Sequence, residues 1–206
     1  MADTSSYDDA LAHLRASCEV MAELIETHRP PGFAPVAPEK YFDVLVVSII
    51  GQQLSVRAAD TIEARLRQLV GPLTPEGLLQ ASHDDLRAVG FSRSKVAYSH
   101  GLAEAFLDNT ITPHLLTDAP DETVVSTLTA LKGIGPWTAE MFMMFGLGRL
   151  DVFSPGDLGL RRSMEHFFGD SSPSIAERWK PYRSVAAWYL WEHSDQLQGR
   201  VIDPQA

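Results

Sequence analysis

The stretch "LKGIGPWTA", residues 131–139, decides the fold of this chain. Gly133 and Gly135 supply backbone conformations with positive φ or leave no room for a Cβ, and Ile134 between them can fill the gap between two helices. Pro136 suits the first turn of a helix, where its missing N–H costs nothing. The pattern predicts two helices joined by a hairpin of a few residues, with bare amides at the start of the second helix.

Bare amides at a helix N-terminus attract a phosphate oxygen through free donors and the positive end of the helix dipole. Such a contact grips a nucleic-acid backbone without reading any base. The other interpretation is a tight turn between packed helices, and a Gly-x-Gly pattern alone favours that interpretation. The hairpin by itself therefore leaves both open.

Helical spacing of apolar residues continues through the rest of the chain. Two stripes recur every three or four residues, Leu11, Leu14, Cys18, Met21 and Leu24 in the first and Ile62, Leu66, Leu69 and Val70 in the second. Helix starts are indicated at Thr74, Ser82, Ser92 and Pro120, and helix ends at Gly71, Gly90 and Gly133. The stretch "YFDVLVVSII", residues 41–50, could also form a buried strand, but no second strand exists to pair with it. We therefore expect an all-α protein, with a non-helical linker in "HRPPGFAPVAP", residues 28–38.

The net charge of -10 counts against a nucleic-acid partner at the level of the whole molecule, because phosphate neutralisation needs a basic face. The charge is uneven, however. Residues 1–43 hold eight acidic and three basic side chains, whereas residues 132–183 hold six acidic and seven basic ones. Scatter of charge explains this pattern as well. Any DNA-binding face must therefore be local.

Nothing in the sequence predicts a membrane span or secretion. The apolar runs are far shorter than the ~20 residues that a membrane-spanning helix needs, and the N-terminus carries acids where a secretory signal would carry bases. Cys18 is the single cysteine, which excludes an internal disulfide and a cysteine-ligated iron–sulfur cluster. We expect a cytoplasmic monomer without a cofactor.

Residues 131–162, "LKGIGPWTAEMFMMFGLGRLDVFSPGDLGLRR", combine the hairpin with a Gly/Pro-rich loop and a following aspartate. This combination resembles the helix-hairpin-helix DNA glycosylases, and within them most closely the 3-methyladenine DNA glycosylase II group. Three further segments are similar to that group: "VVSIIGQQLSVRAADTIEARL" at 46–66, "VGFSRSKVAYSHGLAEA" at 89–105 and "ERWKPYRSVAAWYLW" at 177–191. The resemblance covers roughly residues 38–195.

The resemblance implies a fold and a reaction. The fold is all-helical, with a base-binding cleft between a lobe of residues 1–40 and about 163–206 and a lobe of about 41–162. The reaction is excision of alkylated bases from damaged double-stranded DNA, with the base flipped out of the duplex. We expect the chain to lack the β-rich N-terminal domain that some relatives carry.

Asp157, the last residue of "DVFSPGD", is the catalytic residue that the resemblance implies. An alkylated purine already carries positive charge, so its bond to the sugar is weak, and a nearby carboxylate stabilises the oxocarbenium-like sugar and orients water. No metal is needed. The alternative is a capping box, with Ser154 at the N-cap, Pro155 at the first helical position and Asp157 two residues later.

The resemblance also assigns a base pocket, made of Trp137, Trp191, Met141, Leu158 and Gln53. An alkylated purine favours aromatic faces through cation–π attraction, and Met141 and Leu158 stand where relatives often carry aromatic residues. Core packing is the other interpretation of each tryptophan. Bifunctional members of the superfamily place a nucleophilic lysine where Trp137 stands, so a monofunctional enzyme is implied.

A third set of residues is implied to contact DNA: Gln52, Phe91, Arg93, Lys132, Gly133 and Gly135. The segment 91–93 matches the wedge that fills the space of the flipped base, with Arg93 at its tip, although a phosphate contact by Arg93 is an equal alternative. Lys132 is expected to meet a phosphate. The backbone carbonyls of Thr129, Leu131 and Ile134 match those that hold a monovalent cation in related proteins when DNA is bound.

The sequence therefore predicts a monofunctional DNA glycosylase that excises alkylated purines of the 3-methyladenine type in base excision repair, acting on the nucleoid. One alternative is a glycosylase of the same fold that removes deaminated or oxidised bases. Another is a non-catalytic helix-hairpin-helix DNA-binding module. An acidic scaffold that binds proteins fits the net charge but leaves "KGIGPW" unexplained.

Overall fold

The computed structural model of this chain describes residues 4–197, and within that range the backbone forms helices and no β-strand. In chain order the α-helices are α1 (Thr4–Ser17), α2 (Glu19–Thr27), α3 (Tyr41–Gly51), α4 (Val56–Val70), α5 (Pro75–Gln80), α6 (His83–Ala88), α7 (Arg93–Leu107), α8 (Pro113–Asp118), α9 (Asp121–Thr129), α10 (Pro136–Met141), α11 (Leu158–Phe168), α12 (Pro173–Ala176) and α13 (Arg183–Leu197). Two 3₁₀ turns, Pro38–Lys40 and Glu177–Trp179, and a π-helical turn, Phe142–Gly146, lie between them. The all-α prediction is confirmed. None of the helices in the described range has the length and apolar character of a membrane span.

The predicted helix starts are confirmed where a side chain caps the first turn. Thr74, Ser82 and Ser92 each accept a hydrogen bond from the backbone N–H three residues on. Ser82 also donates to the carboxylate of Asp85, at 2.6 Å. The stretch 41–50 is helical, as expected, and most of its side chains are buried. It is apolar on every side because it runs through the core of its unit.

The N-terminal stripe of apolar residues does not belong to one helix. Leu14, Met21 and Leu24 are all buried, as the spacing indicates. The helix nevertheless breaks at Cys18, which has an extended backbone (φ -169°, ψ 157°) and separates α1 from α2. Residues on both sides of the break face the same core, so the apolar pattern persists through it. The predicted linker at 28–38 is confirmed as non-helical up to Ala37.

The described chain divides into two compact units. One comprises the chain up to Pro35 and from Gly148 onward, and the other comprises residues 36–147. The expected boundaries were near residues 40 and 163, so the segment 148–162 lies with the terminal helices instead.

Side-chain contacts from α13 explain the placement of this segment. Ser184 donates from its backbone N–H to the carbonyl of Leu150 at 2.9 Å and from its hydroxyl to the carbonyl of Arg149 at 2.7 Å. Arg183 pairs with the Asp151 carboxylate at 2.7 and 3.0 Å. Asp151 therefore has a structural role in the turn before Asp157.

Candidate active site

Asp157 caps the helix that follows it. Its Oδ1 accepts a hydrogen bond from the backbone N–H of Leu160 at 2.7 Å, and α11 begins at the next residue, Leu158. The capping box expected from Ser154 is wrong, because the helix begins three residues later than that assignment requires. Ser154 is fully buried, and its carbonyl accepts from the backbone N–H of Asp157 in a turn. The carboxylate of Asp157 is therefore a helix cap, and it is also the predicted catalytic group.

Trp191 contacts this carboxylate directly. Its indole Nε1 donates to Oδ1 of Asp157 at 2.8 Å, so one carboxylate oxygen receives both the indole N–H and the N–H of Leu160. Hydrogen bonds to a charged group are the stronger kind, and the start of α11 adds the positive end of a helix dipole. The carboxylate is therefore held in a fixed orientation in surroundings that complement its negative charge.

Gly159, which was not among the predicted site residues, leaves room for this arrangement. A Cβ at this position would lie 3.3 Å from Oδ1 of Asp157 and 3.4 Å from Cδ1 of Trp191. The first contact is tighter than ordinary van der Waals packing and the second is at its limit, so a larger residue would press on the carboxylate. The sequence signal is a glycine two positions after the aspartate. Leu158, between them, is 57% exposed.

The hairpin joins α9 to α10 as predicted, but its two glycines differ. Gly133 has φ +93°, and a Cβ on it would overlap the ring of Tyr98. Gly135 is the N-cap of α10 with φ -96°, and a Cβ on it would meet nothing within 4 Å. The expected backbone requirement is therefore confirmed for Gly133 and wrong for Gly135. Ile134 is buried, as expected of a plug, and Lys132 is exposed.

The paired glutamines of the loop between α3 and α4 point in different directions. Gln52 donates from Nε2 to the carbonyl of Gly133 at 2.8 Å and to Oγ1 of Thr138 at 3.4 Å. Gln53 is exposed and has φ +60°, which is uncommon for a residue other than glycine. Gln52 thus supports the hairpin from inside, and Gln53 is presented to solvent.

The predicted wedge segment contains one exposed candidate and one buried residue. Phe91 is only 3% exposed, and its backbone N–H donates to the carbonyl of Leu86. Its side chain therefore packs in the core and offers no surface to DNA, contrary to the expectation. Arg93 is exposed at the first position of α7, where Ser92 is the N-cap.

Two residues of the predicted base pocket lie in the first turns after the hairpin. Trp137 is 39% exposed, which rules out core packing as the explanation of its apolar side chain. Met141, one turn later, is buried. Beyond Met141 the helix widens into the π-helical turn, where the N–H of Leu147 donates to the carbonyl of Phe142.

Two kinds of donor are relevant to metal binding, side-chain groups and the backbone carbonyls of the hairpin. Within residues 4–197, no group of three or more histidine, cysteine or acidic side chains is arranged to hold a metal ion. Of the three carbonyls predicted to bind a monovalent cation, that of Leu131 accepts a hydrogen bond from the N–H of Ile134 at 3.2 Å. The cation site remains a prediction.

Comparison with known proteins extends these observations. The chain is 29% identical over 204 residues to the alkylbase DNA glycosidase-like protein mag2 of Schizosaccharomyces pombe, covering 93% of this chain and 96% of that protein. The crystal structure of a DNA-3-methyladenine glycosidase from Bacillus halodurans superposes with a TM-score of 0.78 at 37% identity, over 92% of this chain and 91% of that one. A Schizosaccharomyces pombe 3-methyladenine DNA glycosylase in complex with abasic DNA gives a TM-score of 0.80 at 29% identity, over 91% and 97%.

The family of this chain follows from a sequence match that spans most of the fold. Residues 46–180 match the HhH-GPD superfamily of base excision DNA repair proteins. The match begins inside α3, includes the hairpin and the Asp157 turn, and ends just before α13. With its hairpin and the helix-capping aspartate that follows it, the chain belongs to the HhH-GPD superfamily of base excision DNA repair proteins.

Proposed function

We propose that this protein is a DNA glycosylase that excises alkylated purines of the 3-methyladenine type from duplex DNA in base excision repair. The observation that carries the proposal is the carboxylate of Asp157, held through one oxygen by the N–H groups of Leu160 and Trp191. The alkylated-base activity named for the similar proteins from fission yeast and Bacillus halodurans supports the same substrate class.

The proposed chemistry needs little from the protein beyond a fixed negative charge. A purine alkylated at a ring nitrogen is cationic, so it is a good leaving group and its departure leaves positive charge on the sugar. Asp157 stabilises that charge and orients the attacking water. Because the two N–H donors already fix the carboxylate, little reorganisation is needed as the charge develops.

The enzyme is proposed to be monofunctional. Strand cleavage by the bifunctional route needs an amine that forms a Schiff base with the sugar. The position that carries this amine in bifunctional relatives holds Trp137, an exposed indole with no nucleophilic amine. The expected product is an intact strand with an abasic site, and treatment with borohydride should trap no covalent complex.

Replacing Asp157 with asparagine tests the proposal. Asparagine keeps an oxygen that accepts from Leu160 and Trp191, so the cap is retained while the charge is lost. We expect release of methylated purines from duplex DNA to fall by roughly 10²-fold or more, with DNA binding preserved. Base release is measured by mass spectrometry and abasic sites by alkaline cleavage.

The matched control for this experiment is Asp170→Asn. Asp170 is an exposed carboxylate just beyond the other end of α11, and it accepts from the N–H of Ser172 at 2.9 Å. This substitution makes the same chemical change on the same unit and should leave base release unchanged. Equal activity of Asp157→Asn and Asp170→Asn would refute a catalytic role for Asp157.

The two rival functions give different results in the same assay. A glycosylase for deaminated or oxidised bases would release hypoxanthine, uracil or an oxidised purine in preference to methylated purines. A non-catalytic module would bind the duplex and release nothing. The second donor at Asp157, the indole N–H of Trp191, favours an enzyme, because helix capping by itself needs only the N–H of Leu160.

We further propose that the enzyme acts as a cytoplasmic monomer on nucleoid DNA, with a monovalent cation held at the hairpin when DNA is bound. Light scattering of the purified protein measures the oligomeric state. The cation site is tested by comparing DNA affinity in a potassium salt with that in the salt of a bulky organic cation, at equal ionic strength.

A further inference from the structure

Lys95 in the first turn of α7 contacts the protein backbone with its ammonium group. Its Nζ donates to the carbonyl of Ile50 at 2.7 Å and to the carbonyl of Gln52 at 2.9 Å. Both carbonyls lie at the C-terminal end of α3, where the helix dipole favours a positive charge. The side chain is half-buried, and burial lowers the pKa of its ammonium group. Lys95 therefore differs from Arg93 and Lys132, which are exposed.

The residue that Lys95 holds is the one that supports the hairpin. The Gln52 carbonyl accepts from Lys95, and the Gln52 side chain donates to the carbonyl of Gly133 at 2.8 Å. Tyr98, one turn after Lys95 on the same face of α7, occupies the space that a side chain on residue 133 would need. Helix α7 thus contacts both ends of the connection between the 51–55 loop and the hairpin.

We propose that Lys95 is a positioning residue, which fixes the 51–55 loop and, through the amide of Gln52, holds the hairpin in its DNA-binding geometry without itself contacting DNA. Two of its three N–H donors are already directed at carbonyls, which leaves the ammonium poorly placed to neutralise a phosphate. The consequence for DNA rests on the proposed function, whereas the connection to the hairpin does not.

Hydrogen exchange of the DNA-free protein tests the connection without any catalysis. In Lys95→Met we expect the amides of residues 131–135 to exchange about fivefold faster or more, because a segment that has lost its support opens more often. Arg93→Met, two residues earlier, is the matched control and should leave these amides unchanged. In a Gln52→Ala background the added Lys95→Met should have little further effect, because the connection is already broken.

Two results of this experiment would overturn the proposal. Unchanged exchange at residues 131–135 in Lys95→Met means that the ammonium does not hold the hairpin. Acceleration that extends equally to α13, in the other unit, means that the residue only contributes to global stability. Lys95→Arg provides the rescue, since a guanidinium also donates to two carbonyls, and it should restore exchange to within about threefold of wild type.

Binding to a duplex that carries a tetrahydrofuran abasic-site analogue tests the functional consequence. We expect Lys95→Met to weaken binding about tenfold, as the loss of charge-assisted hydrogen bonds allows. Base release at saturating DNA should stay within about twofold of wild type, because Asp157 takes no part in these contacts. Unchanged affinity would overturn the positioning role. If exchange responds as expected but no base is ever released, the proposed function fails and the positioning role stands.

Discussion

At the scale of single residues, one oxygen of the Asp157 carboxylate receives the hydrogen bonds that orient the candidate catalytic group. Oδ1 of Asp157 accepts from the backbone at 2.7 Å and from the indole of Trp191 at 2.8 Å. Both residues were predicted to belong to the site, the tryptophan as a stacking surface for the base. The hydrogen bond adds a second role, because the indole N–H orients the carboxylate that faces the reacting sugar in the proposed mechanism.

Trp191→Phe separates these two roles of the indole. Phenylalanine keeps an aromatic face but has no N–H, so we expect kcat for methylated-purine release to fall about tenfold while DNA affinity changes little. Trp188→Phe is the matched control, because Trp188 lies one turn earlier on α13 and donates to the carbonyl of Arg29 at 3.1 Å. An equal loss of kcat in both variants would show that packing of α13, and not the hydrogen bond, is responsible.

At the scale of elements, the hairpin is built around one glycine. Gly133 needs both the left-handed backbone and the space against Tyr98, whereas Gly135 needs neither. The hairpin is also supported from outside its own sequence, by Gln52 on one side and by α7 on the other. The geometry of the hairpin therefore depends on α9, α10, the 51–55 loop and α7, although the sequence motif that predicts it is local.

Substituting alanine for each of the two glycines should affect stability to very different extents. Gly133→Ala places a Cβ in the Tyr98 ring at a φ that alanine rarely adopts, so we expect a loss of at least about 2 kcal/mol of unfolding free energy and weak DNA binding. Gly135→Ala fits its backbone and its open surroundings and should be nearly neutral in stability. Urea denaturation measures both. Equal destabilisation would contradict the distinction between the two positions.

At the scale of the whole molecule, charge sets how the protein responds to salt and pH. A net charge of -10 repels DNA, so we expect binding to depend on a few local cations, with Arg93 and Lys132 as the predicted contacts. We expect log Kd for duplex DNA to rise linearly with log salt concentration, and each of these side chains to contribute about 0.9 to the slope where it meets a phosphate. Fluorescence anisotropy at several salt concentrations measures the slope, and an unchanged slope in Lys132→Met would exclude that contact.

One source of pH dependence is a group of three histidines in the unit that contains Asp157. The ring centroid of His193 lies 5.2 Å from that of His28 and 5.9 Å from that of His166. Burial lowers the pKa of His193, repulsion from these two neighbours lowers it further, and Glu23 opposes the shift. The unfolded chain therefore binds a proton on this residue more readily than the folded chain does.

The sign of the effect on stability follows from this difference. As the pH falls below the ordinary histidine value of 6.5, the unfolded state gains protons first, so folding loses stability until the folded-state pKa is passed. We expect Tm to fall between pH 7.5 and 5, and His193→Gln to reduce that fall. Calorimetry at several pH values measures it. A variant that loses as much Tm as wild type would exclude His193 as the source.

Some features could be predicted from the sequence because their causes are local. The caps at Thr74, Ser82 and Ser92 depend on a side chain and an N–H three residues away. The strand-like stretch at 41–50 was assigned correctly to a helix because the sequence offers no partner strand. The break at Cys18 was missed, since the apolar spacing is the same in one helix as in two that share a core.

By itself the sequence determined the helical class through the spacing of its apolar residues, the hairpin through a short run of residues, and, through the family resemblance, Asp157 as the candidate catalytic carboxylate. Only the tertiary structure decided that Trp191, 34 positions later, orients the Asp157 carboxylate, and that Gln52 supports the carbonyl of Gly133, 81 positions away. It also decided that Phe91 packs inward and that Gln53 faces solvent. The physical reason is that hydrogen-bond partners and burial depend on how distant segments pack, which local propensity and spacing do not encode.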